Sequence, residues 1–215
     1  MSKSDRRPVL YYTLASASCR SVLMTAEALK LKLNLKPMDL MQREHLHPGF
    51  LKINPHHQVP TLSDNEFNLY ESRAICIYLV EKYGKNDSLY PKNPKLRAKI
   101  NQLIYFDLGT LYKSFYEYIV PVFMGEELSD EKLKPLQEAV QFLDGFLSDK
   151  KFAVAYKITI ADLILLASVS SIEAFDFDFS SYPNVTNWLE NMKECAPGYD
   201  LNQEGIEMFK SFMKK

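Results

Sequence analysis

The sequence contains few cysteines: three in 215 residues, far apart at Cys19, Cys76 and Cys195. Such an odd and widely spaced set argues against a disulfide framework and favours a reducing compartment. An excess of one charge sign is also lacking, because 26 Lys and Arg residues stand against 27 Asp and Glu residues. We therefore expect no nucleic-acid partner and no acidic membrane surface. Small molecules or proteins remain as the expected partners.

Long hydrophobic runs are absent as well. No stretch approaches the roughly 18 apolar residues that a membrane span needs. Lys3, Arg6 and Arg7 precede an apolar run at residues 9–15, which imitates a secretory signal peptide. The run includes two tyrosines and a threonine and barely reaches the minimum length, so the imitation fails. We expect a cytoplasmic protein.

The stretch from Leu10 to Glu27 organises the chain. A short apolar run is followed by small hydroxyl residues and then by apolar residues at helical spacing, which predicts a strand, a turn and a helix. A helix N-terminus offers free backbone N–H groups and a partial positive charge, so it stabilises an anion. Ser16, Ser18 and Cys19 stand at that point. Each could act on a bound anion or only cap or pack the helix.

The rest of the first half predicts a small sheet with a second helix. Residues 33–40 form an extended segment whose Pro37 favours an edge position. Residues 59–63 and 67–70 flank a turn and predict a β-hairpin. A helix should run from Glu71 to Gly84. The polar residues 42–54 predict an irregular segment with at most one helical turn.

The second half predicts helices only. Residues 85–94, with two prolines and several polar residues, predict a linker between an α/β domain at 1–84 and an all-α domain at 95–215. The expected helices are 100–119, which Pro121 ends or kinks, then 130–147, 159–174, 184–195 and 203–214. Thr159 and Asp162 form a capping box at the start of the most apolar helix, which should lie at the centre of its domain.

Three motifs carry a family resemblance: Ala-Ser-Ala-Ser-Cys-Arg-Ser-Val at 15–22, Asn-Pro-His-His-Gln-Val-Pro-Thr-Leu at 54–62 and Glu-Ser-Arg-Ala-Ile at 71–75. With a thioredoxin-like element order and a helical second domain, the chain resembles the cytosolic glutathione S-transferases. Tyr-Leu-Val-Glu-Lys-Tyr-Gly at 78–84 and Tyr-Phe-Asp-Leu-Gly-Thr-Leu-Tyr at 105–112 are similar to the insect Delta class. The resemblance covers nearly the whole chain.

The resemblance implies a homodimeric, cytoplasmic detoxification enzyme with glutathione as co-substrate and no metal. Ser16 would stabilise the glutathione thiolate for conjugation to hydrophobic electrophiles or for reduction of organic peroxides. The implied glutathione-binding residues are His45 and His57 at the glycyl carboxylate, Val59 before the cis-proline Pro60, and the group Glu71, Ser72, Arg73 and Asp107 at the γ-glutamyl end. Asp107 could come from the same chain or from the partner subunit. The implied hydrophobic-substrate residues are Tyr112, Phe115 and Phe209.

Several alternatives remain open at this stage. Ser18 could be the true helix cap or a replacement hydroxyl. Cys19, with the lowered pKa expected in a first helical turn, could support a thiol–disulfide reductase. The fold could also serve as a ligand-carrying or interaction module with weak catalysis. Residues 13–15, Thr-Leu-Ala, support that reading because Delta enzymes usually have Leu-Pro-Gly there, and residues 155–157, Ala-Tyr-Lys, replace a usual Ala-Gly-Asp.

Overall fold

The structure is a computed structural model that describes residues 7–213. Its first half contains β1 (Val9–Tyr12), α1 (Ala17–Leu29), β2 (Asn34–Pro37), a 3₁₀ turn (Glu44–Leu46), α2 (Pro48–Leu51), β3 (Thr61–Asp64), β4 (Phe67–Tyr70) and α3 (Ser72–Tyr83). Its second half contains α4 (Pro94–Phe106), a π-helical segment (Asp107–Leu111), α5 (Tyr112–Phe123), α6 (Asp130–Leu147), α7 (Ile160–Glu173), α8 (Pro183–Cys195) and α9 (Tyr199–Met213).

The four strands form one sheet in the order β2-β1-β3-β4. β1 runs parallel to β2 and antiparallel to β3, and β3 and β4 form the predicted hairpin. Leu10 of β1 lies opposite Leu62 of β3, and both are completely buried. β2 is the exposed edge strand expected from Pro37, although it is only four residues long. The α/β first domain is thereby confirmed.

The segment at 42–54 is more ordered than its composition indicates. It contains both the 3₁₀ turn and α2, where the sequence predicts at most one helical turn. His47 ends the turn and caps α2, because its Nδ1 accepts a hydrogen bond from the N–H of Gly49 at 3.3 Å. Proline at the first position of α2 favours that start. This local capping was not expected from a polar stretch.

The predicted long helix is three pieces rather than one. Asn93 begins α4, because its side chain accepts hydrogen bonds from the N–H groups of Lys95 and Leu96. The π-helical segment then interrupts the regular spacing, and α5 continues past Pro121 to Phe123. Such π segments often occur at functional sites. Here the segment begins at Asp107.

The core of the second domain is built around α7, whose residues from Ile160 to Ile172 are all buried. α1 packs between α3 on one side and α7 with α9 on the other, which brings the two halves of the chain together. Within residues 7–213, no helix is long and apolar enough to cross a membrane. The all-α second domain is confirmed.

Candidate active site

A cleft of about 500 Å³ lies where the β1–α1 turn, residues 57–60, the start of α3 and the helix α5 meet. Most of the residues implied by the family resemblance line it: Ser16, His45, His57, Val59, Pro60, Glu71, Ser72, Arg73 and Tyr112. The wall also includes Ser18, Leu40, Gln58 and Tyr116. A larger open cavity of about 650 Å³ between the end of α1 and residues 152–158 contains none of the predicted site residues.

Ser16 is the N-cap residue of α1 and is half-buried at the cleft wall. Its Oγ accepts a long hydrogen bond, 3.4 Å, from the N–H of Cys19. A hydroxyl has two acceptor lone pairs and one donor proton, so capping leaves the proton free. Capping and donation to a bound anion are therefore compatible at Ser16.

Ser18 and Cys19, the two alternatives to Ser16 as the group that acts on a bound anion, differ from it in hydrogen bonding and burial. The hydroxyl of Ser18 accepts a hydrogen bond from Nη1 of Arg73 at 3.3 Å. Cys19 is completely buried, and burial raises the pKa of its thiol to about 11. The expected lowering of this pKa is wrong, because desolvation outweighs the helix terminus. A buried, protonated thiol does not support the reductase alternative.

The segment at 57–60 carries the cis peptide bond between Val59 and Pro60. Val59 faces the cleft, and no hydrogen bond within residues 7–213 uses its backbone N–H or C=O. His57, with a positive φ of 46°, lies beside it. The ring centroids of His45 and His57 are 6.2 Å apart, and the buried Nδ1 of His45 has no partner among the described residues. The histidines thus bring polar hydrogens or lone pairs to the cleft wall.

Glu71 and Ser72, at the start of α3, also line the cleft. Glu71 precedes α3 with a φ of 72°, a strained conformation for a residue with a side chain. Its carboxylate is exposed and makes no capping bond. The first N–H groups of α3 lack intrahelical acceptors, so this end combines an acid, a hydroxyl and anion-binding amides.

Arg73 and Asp107 connect the two domains through a buried ion pair. Nε of Arg73 donates to Oδ2 of Asp107 at 3.2 Å, and Nη2 donates to the same oxygen. Burial alone would lower the pKa of Arg73, but the Asp107 carboxylate raises it, so the guanidinium stays charged. Asp107 is fully buried and reaches Arg73 of its own chain. The ion pair is complete within one chain, and the supply of this acid by a partner subunit stays a prediction.

The three predicted hydrophobic-substrate residues have different positions. Tyr112 lines the cleft beneath Arg73, whose Cζ is 5.4 Å from the ring centroid. Phe115 is 2% exposed and packs edge-to-face with Phe209, at 6.5 Å between centroids. Neither of these two phenylalanines is in the cleft wall. Tyr116, which is 55% exposed, lies in the cleft wall instead. It follows Tyr112 by four residues, and this spacing places both side chains on the same face of the helix.

The β1–α1 turn does not require the glycine that Ala15 replaces. Residues 13–16 include no positive φ, and the N–H of Ser16 donates to the carbonyl of Thr13 at 3.2 Å. Alanine adopts such a backbone without strain. The change at 13–15 is therefore compatible with a well-formed turn, which removes the main support for the non-catalytic alternative.

Within residues 7–213, no group of three or more His, Cys, Asp or Glu side chains could hold a metal ion.

A βα turn with a free hydroxyl, a cis-proline segment and a helical second domain together define the class of two-domain thioredoxin-fold proteins.

Comparisons with known proteins narrow this class. The N-terminal domain model of the glutathione S-transferases matches residues 7–81, and the C-terminal domain model matches residues 110–194. A delta-class glutathione transferase of Nilaparvata lugens is 50% identical, with a TM-score of 0.93 over 96% of this chain and 98% of that one. A Bombyx mori glutathione transferase is 43% identical, with a TM-score of 0.93 over 97% and 98% of the two chains.

A glutathione transferase homologue of Drosophila mojavensis, solved with bound glutathione, is 36% identical, with a TM-score of 0.89 over 97% of this chain and 96% of that one. The chain belongs to the glutathione S-transferase family, and it is similar to the insect delta class.

Proposed function

We propose that the protein is a serine-type glutathione transferase that conjugates glutathione to hydrophobic electrophiles. The observation that carries the proposal is the shared cleft, which Ser16, Val59 and the Glu71–Ser72 pair all line. Glutathione has a thiol, a peptide backbone and a γ-glutamyl headgroup, and these three groups offer one partner for each. The Drosophila mojavensis relative with bound glutathione supports the same ligand.

Ser16 would donate its free proton to the glutathione sulfur and stabilise the thiolate. A hydrogen bond to a charged acceptor is worth about 1.5–3 kcal/mol, and about 1.4 kcal/mol corresponds to one pKa unit. One hydroxyl at the positive end of α1 could therefore lower the thiol pKa by about one to two units. Such a shift populates the thiolate near neutral pH while Ser16 keeps its own proton. The same thiolate could reduce organic peroxides.

The two ends of glutathione would be held by different segments of the cleft wall. Among residues 7–213, no hydrogen bond uses the backbone N–H or C=O of Val59, and both could pair with the cysteinyl residue as in an added β-strand. His45 and His57 would hold the glycyl carboxylate. Glu71 would bind the γ-glutamyl amine, while Ser72 and the first amides of α3 bind its carboxylate. Arg73, paired with Asp107, would add positive charge nearby.

A hydrophobic electrophile would enter beside Tyr112 and Tyr116, which form the aromatic side of the cleft. Phe115 and Phe209 would support that side from behind rather than contact the substrate. The proposed homodimer finds support in Tyr105 and Leu108, which are one helical turn apart and 69% and 43% exposed. A substitution of either residue by Asp should shift the oligomeric state in size-exclusion chromatography if this face is the dimer interface.

Turnover of a chloronitrobenzene with glutathione tests the proposed function directly. Measurable conjugation, together with retention of the protein on immobilised glutathione, is the expected result. Retention without turnover of several electrophiles would instead favour a ligand-carrying module. Failure to bind glutathione at all would refute both readings.

Glu71→Gln should weaken glutathione binding by about tenfold or more, because a charge-assisted contact with the γ-glutamyl amine is lost. The dissociation constant from isothermal titration calorimetry measures this change. Glu66→Gln, an exposed position in the β3–β4 turn, is the matched control and should bind like the wild type. Equal affinities for both variants would remove Glu71 from the site.

A further inference from the structure

Arg20 of α1 is a fully buried cation without an acidic partner. Its side chain has no exposed surface, and no carboxylate forms an ion pair with it among residues 7–213. Burying a charge in this way costs free energy, and well-packed apolar side chains commonly serve stability as well or better. Stability alone therefore gives no reason for an arginine at this position.

The guanidinium of Arg20 instead joins three separate segments through neutral oxygens. Its Nη1 donates to the carbonyls of Ala15 and Leu14, at 2.7 and 3.3 Å, in the turn that precedes Ser16. Its Nε donates to Oδ1 of Asn202 in α9 at 2.9 Å. Its Nη2 completes the set on α7, where it donates to the carbonyl of Ala167 at 3.2 Å and to Oγ of Ser171.

α9 fixes this arrangement at two points one turn apart. Asn202 is completely buried, and its Nδ2 donates to Oγ of Ser170 at 3.0 Å, so its amide is held from both sides. Gly205 lies directly against the turn. A β-carbon at Gly205 would be only 2.4 Å from the carbonyl oxygen of Leu14 and 2.4 Å from Cδ of Arg20. The backbone of α9 therefore touches the turn that carries Ser16.

We infer that Arg20, held in place by Asn202 and Gly205 of α9, is a positioning residue that sets the turn carrying Ser16. The C-terminal helix would thereby determine where the candidate catalytic hydroxyl lies. This inference rests on the proposed function, since it concerns the hydrogen bond from Ser16 to the glutathione sulfur. A displacement of about 1 Å can cost about a hundredfold in rate, so a small shift of the turn has a large effect.

Asn202→Ala, which only removes atoms, is the decisive variant. We expect kcat for conjugation to fall about tenfold or more. The apparent pKa of bound glutathione, from the pH profile of kcat and from thiolate absorbance, should rise by about one unit. KM for glutathione should change less than about threefold, because the contacts to the ends of the peptide lie on other segments. Gly205→Ala should give the same pattern where it folds.

Two controls separate positioning from loss of stability. Ile206→Ala truncates a buried neighbour on α9 and should lower the melting temperature without moving the thiol pKa. Gly145→Ala adds the same methyl group as Gly205→Ala, but at a position where no described atom beyond the chain neighbours and the local helix backbone lies within 4 Å, and it should retain full activity. A thiol pKa that moves equally in Ile206→Ala and Asn202→Ala would refute the positioning role.

Arg20→Lys tests whether charge alone suffices, because an ammonium keeps the charge but lacks the planar fork that reaches three segments. It should behave like Asn202→Ala, and wild-type values of kcat and thiol pKa would overturn the inference. Wild-type values in Asn202→Ala would overturn it as well. A wild-type protein that neither binds nor conjugates glutathione would instead refute the proposed function itself.

Discussion

Ser16→Ala is expected to reduce kcat for glutathione conjugation by about 10–150-fold, the rate equivalent of losing a hydrogen bond of about 1.5–3 kcal/mol to a charged sulfur. KM for glutathione should change little, since Ser16 contacts only the sulfur in the proposed complex. Steady-state kinetics with a chloronitrobenzene substrate measure both quantities. Ser18→Ala is the control, because its hydroxyl meets Arg73 rather than the sulfur.

The pH dependence of the reaction shows in which direction Ser16 shifts the pKa of the glutathione thiol. A hydrogen bond that stabilises the thiolate lowers the thiol pKa, so the wild type should already be active near neutral pH. Loss of that bond raises the pKa and moves the rate profile of Ser16→Ala to higher pH. The two profiles should converge in alkaline solution, where the thiol ionises without help.

Helix capping is the competing role of Ser16, and a second variant separates the two. Aspartate is a good N-cap residue but, when ionised, has no proton to donate. Ser16→Asp should therefore retain the stability of α1 and lose conjugation. Activity in Ser16→Asp, or equal kcat and pH profiles for wild type and Ser16→Ala, would show that Ser16 only begins the helix.

Short-range patterns predicted the elements that place the site. The alternation and capping signals around β1, α1 and the β3–β4 hairpin depend on neighbouring residues, and these elements lie where the sequence predicts them. The same holds for α7, because a helix that is apolar all round can only be buried. Its capping residues, Thr159 and Asp162, also stand in the predicted positions.

Features set by contacts between distant segments could not be predicted in this way. The pKa of Cys19 depends on how completely other elements cover it. Asp107 is buried at the start of the π-helical segment, where it pairs with Arg73 of α3, 34 positions earlier. From the sequence pattern, Arg20 would be an ordinary surface cation on an amphipathic helix. No neighbouring residue in the sequence indicates its contact with Asn202, 182 positions later. The π-helical segment likewise has no composition signal.

Asp162→Ala should be the most destabilising single change in the second domain, with a loss of about 4 kcal/mol or more in the free energy of unfolding. The Asp162 carboxylate has no exposed surface. Its Oδ2 accepts from the N–H and Oγ1 of Thr159, both at 2.9 Å. Its Oδ1 accepts from the N–H of Ala153 at 2.7 Å and from Nε1 of Trp188 at 3.2 Å. Alanine would leave these buried donors without an acceptor.

Intermediate and negative controls make this expectation specific. Asp162→Asn keeps one carbonyl oxygen but turns an amide NH₂ toward N–H donors, so its loss should lie between wild type and Asp162→Ala. Asp130→Ala, at the exposed first position of α6, removes a carboxylate that makes no side-chain hydrogen bond or ion pair among residues 7–213, and it should cost less than about 1 kcal/mol.

Trp188 is the single tryptophan of the chain and donates a hydrogen bond directly to Asp162. Its fluorescence therefore reports both on the surroundings of Asp162 and on unfolding of the whole protein. Urea unfolding followed by both tryptophan emission and circular dichroism, at one fixed protein concentration, should show both transitions of Asp162→Ala shifted to lower urea. Because the lost acceptor lies beside the indole, the folded-state emission should change too. A variant with unshifted transitions would show that α7 does not depend on this carboxylate, and that burial of its apolar residues alone holds the helical domain together.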